Sequence, residues 1–234
     1  MDTGEQWGYR TQITNLYYDT LWVYKSRDSI VQNSKVTVLT EGDSVLATGQ
    51  LTKLMTETTV GQNTYTQLHW YMNTSSNLIR WAYTNGGATA YVFPKLKHSK
   101  YLTVNEYKRI KELFNSDIYT TKAINDTILK YESPQILLKY PVRTGDSWQM
   151  SYAPFGINRK VTGIEKISSA LGTIDVYKLE TTLSGLGLTY YDYISLDYGL
   201  VRRMWKDTLL QTGESDPVPI GYLIWQEESN LISK

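Results

Sequence analysis

No cysteine occurs in the 234 residues. Disulfides, thiolate metal sites and a cysteine nucleophile are excluded from this chain. Histidine is nearly as scarce, His69 and His98 being the two present. A transition-metal site would have to rely on carboxylates, which suit calcium better than zinc, and no acidic loop has the required ligand spacing. No stretch approaches the roughly 20 apolar residues of a membrane-crossing helix. An excess of one charge is missing too. Lys+Arg 24 against Asp+Glu 23 provides no global field to recruit nucleic acid or an anionic surface. The nucleophile elbow Gly-x-Ser-x-Gly does not occur. In "SGLGLTYY" Gly185 and Gly187 lack the third glycine and the following helix of a phosphate cradle, so they read as a turn. No cofactor and no metal are expected.

What is abundant is tyrosine: Tyr 20, Trp 7, Phe 3. Tyrosine suits pleated surfaces with one wet side, where the ring packs and the hydroxyl keeps a polar partner. Strand patterns follow one another from Trp7 to about Phe93, in "LYYDTLWVYK", "SKVTVLTEGD", "TYTQLHWYM" and "LIRWAY". Turn chemistry separates them, as at Gly61-Gln62-Asn63 and Thr74-Ser75-Ser76-Asn77. A helix is expected over about residues 103–115. There Thr103 and Glu106 form a capping box, and Val104, Tyr107, Ile110 and Phe114 recur at spacings of three and four. A less regular segment then runs through Pro134 to Pro141. From Trp148 five strands follow with hairpin-length joins, which favours an antiparallel sheet.

One five-residue word occurs twice, as Thr3-Gly4-Glu5-Gln6-Trp7 and Thr144-Gly145-Asp146-Ser147-Trp148. Gly permits a tight turn and Trp plugs the sheet's apolar face. Gly4, Trp7, Gly145, Trp148 and Gly199 are therefore read as structural anchors. The expected fold is mainly β: curved antiparallel sheets or a half-open barrel, with one short helix and two sheet modules that could be related by duplication. The expected division is a first module over 1–94, a connector with the helix over 95–138 and a second module over 139–234, the whole forming one continuous domain in the alternative.

The second half carries a resemblance. Pro141-x-x-x-Gly145-x-x-Trp148 precedes Gly172, Thr173, Tyr177, Leu179 and Glu180, and Tyr198-Gly199-Leu200-Val201-Arg202 closes the segment. This resembles a pattern common in exported bacterial proteins and lipoproteins of unassigned function, over about residues 139–207. The architecture is similar to the half-open sheets of lipoprotein-carrier-like envelope proteins. The resemblance implies export and a curved sheet. It implies no catalytic residue. A lipoprotein precursor would carry its single cysteine at a lipidated N-terminus, so an N-terminal lipid anchor and a bacterial envelope location are expected. This chain opens instead in polar, strand-like sequence, a start expected of a mature domain and shared by cytoplasmic proteins.

Candidate chemistry is sparse. Alternation places Tyr65, Gln67, His69 and Tyr71 on one strand face. The expectation is a solvated polar face, with a base or metal ligand at His69 as the weaker reading. Tyr191 and Tyr193 form a second aromatic stripe. Together Tyr65, His69, Tyr71, Tyr191 and Tyr193 are the candidate ligand face. Glu180, Asp192 and Asp197 are the carboxylates a hydrolase would use, although strand-end charges more often keep sheets soluble. Lys95, Lys97, Lys100, Lys108, Arg109 and Lys111 read as a solvated helix surface. The function expected is a non-catalytic envelope protein binding an amphipathic small molecule or an envelope protein. A structural module of a surface assembly is the alternative.

Overall fold

The computed structural model describes residues 2–40, 51–86, 101–104, 106, 126–150, 156–184, 187–212 and 218–234. Twelve strands form one antiparallel sheet. They are β1 (Gln6–Tyr18), β2 (Tyr24–Thr40), β3 (Thr52–Val60), β4 (Asn63–Asn73), β5 (Asn77–Gly86), β6 (Asp126–Lys139), β7 (Ser147–Met150), β8 (Ile157–Ser169), β9 (Gly172–Leu183), β10 (Leu188–Ser195), β11 (Gly199–Thr212) and β12 (Pro219–Ser233). The spatial order is β6-β5-β4-β3-β2-β1-β12-β11-β10-β9-β8-β7. Two consecutive six-strand meanders thus join side by side through β1 and β12.

That order forces curvature. The outermost strands, β6 and β7, are consecutive in the chain, and eight residue steps separate Lys139 from Ser147. Eight steps span at most about 29 Å fully extended. Twelve flat strands would hold their edges roughly 53 Å apart. The sheet must curl until its edges approach. Side chains then bridge the seam: Trp148 Nε1 donates to the Ile136 carbonyl at 2.8 Å, and Arg159 Nη1 donates to the Leu137 carbonyl at 2.6 Å. Both carbonyls belong to β6, so donors from β7 and β8 reach across the seam to the other edge strand. No backbone ladder joins β6 to β7, and the sheet is not closed into a barrel.

The main apolar core lies inside this curl. It is built from Leu138, Trp148, Ile157, Val161, Leu179, Leu183, Trp205, Leu209 and Leu223. A smaller cluster of Trp7, Val38 and Leu231 is covered by Leu171, from the β8–β9 turn, and by Tyr198. The repeated word makes one turn twice. Gly4 has φ 90° and Gly145 has φ 94°. Gly4 N–H donates to the Val38 carbonyl, and Val38 N–H donates back to the Glu5 carbonyl. Gly145 and Val161 repeat the exchange through Asp146. A Cβ at either glycine would meet nothing within 4 Å, so the left-handed backbone, not crowding, calls for glycine.

Two sequence expectations need correction. "LYYDTLWVYK" is not one strand: β1 ends at Tyr18 and β2 starts at Tyr24. The Asp19 carboxylate accepts from Leu21 N–H and Val23 N–H and imposes a turn on apolar residues. The segment through Pro134 is a strand, β6. Pro134 is tolerated because β6 is an edge and its register slips between Arg80 and Ala82. The capping box is formed, with Thr103 N–H and hydroxyl donating to Glu106 Oε2 at 2.8 Å and Glu106 N–H donating to Thr103 Oγ1 at 3.2 Å. Residues 107–115 of the expected helix, and the lysine-rich connector, lie outside the described residues.

Candidate functional site

Curling turns one face of every strand inward, and across β1–β4 and parts of β11 and β12 that face carries many polar groups. Thr11, Gln32, Ser34, Thr56, Thr58, Gln67, His69, Arg203, Glu227 and Ser229 are all buried. Buried hydroxyls need partners, and several find them across the ladder. Thr11 and Ser229 face one another with hydroxyls 2.7 Å apart, and Ser34 and Thr58 do so at 3.1 Å.

A pocket of about 190 Å³ opens among these groups. Tyr9 and Thr11 of β1, Ser34 and Val36 of β2, Leu54 and Thr56 of β3, and His69 and Tyr71 of β4 line one side. Leu200, Arg203 and Ser229 close the other. The His69 and Tyr71 rings lie 6.1 Å apart at a tilt of 45°. Desolvation pushes the Tyr9 phenol well above the ordinary tyrosine range, against a smaller opposing pull from Arg203. Tyr9 therefore presents a neutral hydroxyl at neutral pH.

Behind Arg203 lies a buried ionic cluster. Arg203 Nε donates to Asp192 Oδ1 at 2.7 Å and its Nη2 to Oδ2 at 3.2 Å. Arg159 Nη2 reaches the same Oδ2 at 2.5 Å, while its Nε donates to Thr181 Oγ1 at 3.1 Å. One carboxylate thus holds two guanidinium groups, Arg203 as a fork and Arg159 through one N–H, a strong charge-assisted arrangement for a buried ion. Arg203 also lies 5.4 Å over the Tyr190 ring, which stacks on Trp205. The cluster joins pocket wall to apolar core.

The geometry sorts the candidate residues. His69 and Tyr71 line the pocket, and Tyr65 lies on the same strand, half-buried. The expectation of a solvated face fails at Gln67 and His69, which are 5% and 1% exposed. Curvature over six strands buries what a flat sheet would leave wet. Tyr191 and Tyr193 sit on the opposite face of the sheet, against Ile167, Ile174 and Val176. They share no pocket with His69. Tyr193 is buried, and Tyr191 donates to Glu180 at 3.3 Å. The carboxylates also separate. Asp192 is inside β10 rather than beside a turn, Glu180 pairs with Tyr191 on the other face, and Asp197 lies in the β10–β11 turn. These three do not converge on one substrate position.

Arg159 and Arg203 are the residues that sequence reasoning missed. Their signal is register: each stands two positions from buried apolar neighbours, Arg159 between Ile157 and Val161, Arg203 between Val201 and Trp205. An arginine in an apolar alternation announces a buried counterion. Among the described residues, no three His, Asp or Glu side chains group to hold a metal ion. No described helix is long and apolar enough to cross a membrane.

No family model matches the chain, and no curated protein matches it. Among solved structures it is similar to a candidate lipoprotein of Parabacteroides distasonis, at 14% identity over 99% of this chain and 95% of that one, with a TM-score of 0.37. It is also similar to a candidate exported protein of Bacteroides fragilis with a YmcC-like fold, at 11% identity over 95% and 93% of the two chains, with a TM-score of 0.33.

Proposed function

We propose that this chain is an exported bacterial envelope protein with no reaction of its own, which holds a small amphipathic molecule in the pocket between β1–β4 and β11–β12. The composition of that pocket carries the reading. Val36, Leu54 and Leu200 offer apolar contact, while Tyr9, Tyr71, Thr11, Ser34 and Ser229 offer hydroxyls and Arg203 a guanidinium. Apolar walls with a few convergent polar groups are the ordinary make-up of a small-molecule site. A volume of about 190 Å³ is many times the roughly 10–15 Å³ that one water needs, room for one small organic molecule. A sugar-sized or headgroup-sized ligand suits that space better than a long acyl chain. The scarcity of phenylalanine agrees, and so do the carboxylates, which point apart.

Native mass spectrometry of protein isolated from a bacterial envelope tests the reading. A bound mass is expected on the wild type and not on Thr56→Phe, whose ring would fill the cavity. A wild type that carries no bound mass, with a crystal showing the pocket collapsed, overturns it.

A further inference from the structure

We propose that the end of the molecule formed by the β1–β2 turn docks onto a lipid bilayer, with Leu21, Trp22 and Val23 entering the headgroup–acyl boundary. This goes beyond the pocket reading and does not depend on it. Four consecutive apolar or aromatic residues stand out at that turn: Leu21 is 81% exposed, Trp22 44%, Val23 53% and Tyr24 54%. Ile220 of β12, at 60%, lies at the same end, beyond the paired Tyr18 and Tyr222. Scattered apolar residues need no explanation, but a contiguous group marks a contact surface.

The backbone of this turn suits an apolar medium, where each unsatisfied peptide group is costly. Leu21 and Val23 N–H both donate to Asp19 Oδ1 at 2.9 Å, and Trp22 N–H donates to the Asp19 carbonyl at 3.1 Å. The Val23 carbonyl accepts from Asp19 N–H at 3.0 Å. The Asp19 carboxylate is neutralised by Lys25 Nζ at 2.8 Å. The three N–H groups of Leu21, Trp22 and Val23 and the Asp19 charge are thus satisfied, while the Leu21 and Val23 side chains stay exposed.

Its conformation is also held in place. Trp22 has φ 63°, a left-handed backbone that bulky residues avoid. Its ring stacks on Tyr222 at 4.1 Å and 12°, and Tyr101 meets both rings edge-on, at 6.4 Å and 5.5 Å. Tyr18 completes the group, 5.9 Å from Trp22 and from Tyr24. A Trp and four tyrosines below a short apolar tip reproduce the aromatic composition of a membrane–water interface.

Size decides for a bilayer over a protein. β12 flanks β1 as far as Tyr18, and only the β2 side is open, its pairing with β3 beginning at Asn33. A stable protein contact needs about 800 Å² on each partner, more than one hairpin tip presents. A fluid interface needs no complementary surface, only apolar area.

Co-flotation with phosphatidylcholine vesicles is the test. The wild type is expected to float with the vesicles at both about 0.1 M and about 0.5 M salt, because apolar insertion is not screened. Its tryptophan emission should shift to the blue on binding. Leu21→Asp with Val23→Asp should lower the bound fraction about tenfold at unchanged near-ultraviolet dichroism. Leu196→Asp, an exposed residue in the β10–β11 turn at the other end of the sheet, should leave it unchanged. A wild type that stays in the soluble fraction, binding lost at high salt, or a double variant that still floats overturns the proposal. So does a wild type that ignores vesicles but self-associates through Leu21 and Val23, which would assign the patch to a protein contact.

Discussion

The two meanders begin with the same turn and fill their interiors differently. In β7–β12 the inward face is largely hydrocarbon: Ile157, Val161, Leu179, Leu183, Leu188, Trp205, Leu209 and Leu223 pack as one cluster. The inward face of β1–β6 is dominated by Thr11, Gln32, Ser34, Thr56, Thr58, Gln67, His69, Arg80 and Gln135. Burial of apolar area stabilises the first kind of interior without regard to direction. The second kind is stable only while its hydrogen bonds are made, as when Arg80 Nη2 and Nε both donate to the Gln135 side-chain Oε1 at 2.7 and 3.1 Å. The pocket lies where the polar interior meets Arg203, so one half is a packed apolar base and the other a hydrogen-bonded polar wall. Strands of similar composition thus differ by what they turn inward.

The largest expected effect tests the junction between the halves. Asp192→Ala leaves Arg159 and Arg203 buried without their shared counterion, at a cost of about 3–5 kcal/mol in urea unfolding. A loss below about 1 kcal/mol would mean that water reaches the cluster, and the division between dry base and polar wall would dissolve. Asp192 also marks the limit of what the sequence makes legible. The strands of the second half could be read because their joins are short and their alternation regular. β6 could not, since Pro134 argues against a strand until the partner edge is known. The turn at Asp19 was hidden because apolar residues occupy it and the deciding bond is made by one carboxylate. His69 illustrates a deeper limit: its face looks wet by local alternation, and only the meeting of β6 and β7, strands at opposite ends of the sheet order, makes it dry. Curvature is a property of the whole sheet, and no window of ten residues contains it.

A second, smaller effect examines the polar wall itself. Thr11 and Ser229 are 1% and 2% exposed and satisfy one another at 2.7 Å. Thr11→Val keeps the shape and strands the Ser229 hydroxyl, so a loss of about 1–3 kcal/mol is expected. Thr11→Val with Ser229→Ala removes both polar groups and should recover much of that loss. The recovery is the informative part. If the double variant is no better than the single, the pair is not an isolated exchange and the wall behaves as a connected network.

The smallest effect returns to the turn that the halves share. At Gly4 and Gly145 an added Cβ meets no atom within 4 Å, so alanine is opposed only by the left-handed backbone, at φ 90° and 94°. Each Gly→Ala change should therefore cost about 1–2 kcal/mol. The two costs should agree within about 0.5 kcal/mol, because both turns make the same backbone exchange, with Val38 and with Val161. Chemical unfolding of the two variants side by side measures this. Equal losses would show that the turn works independently of the interior it introduces, hydroxyl-rich in one half and apolar in the other. A Gly145→Ala cost well above that of Gly4→Ala would instead couple the turn to the packing beneath it, since Trp148 belongs to the large core while Trp7 plugs the small cluster with Val38 and Leu231.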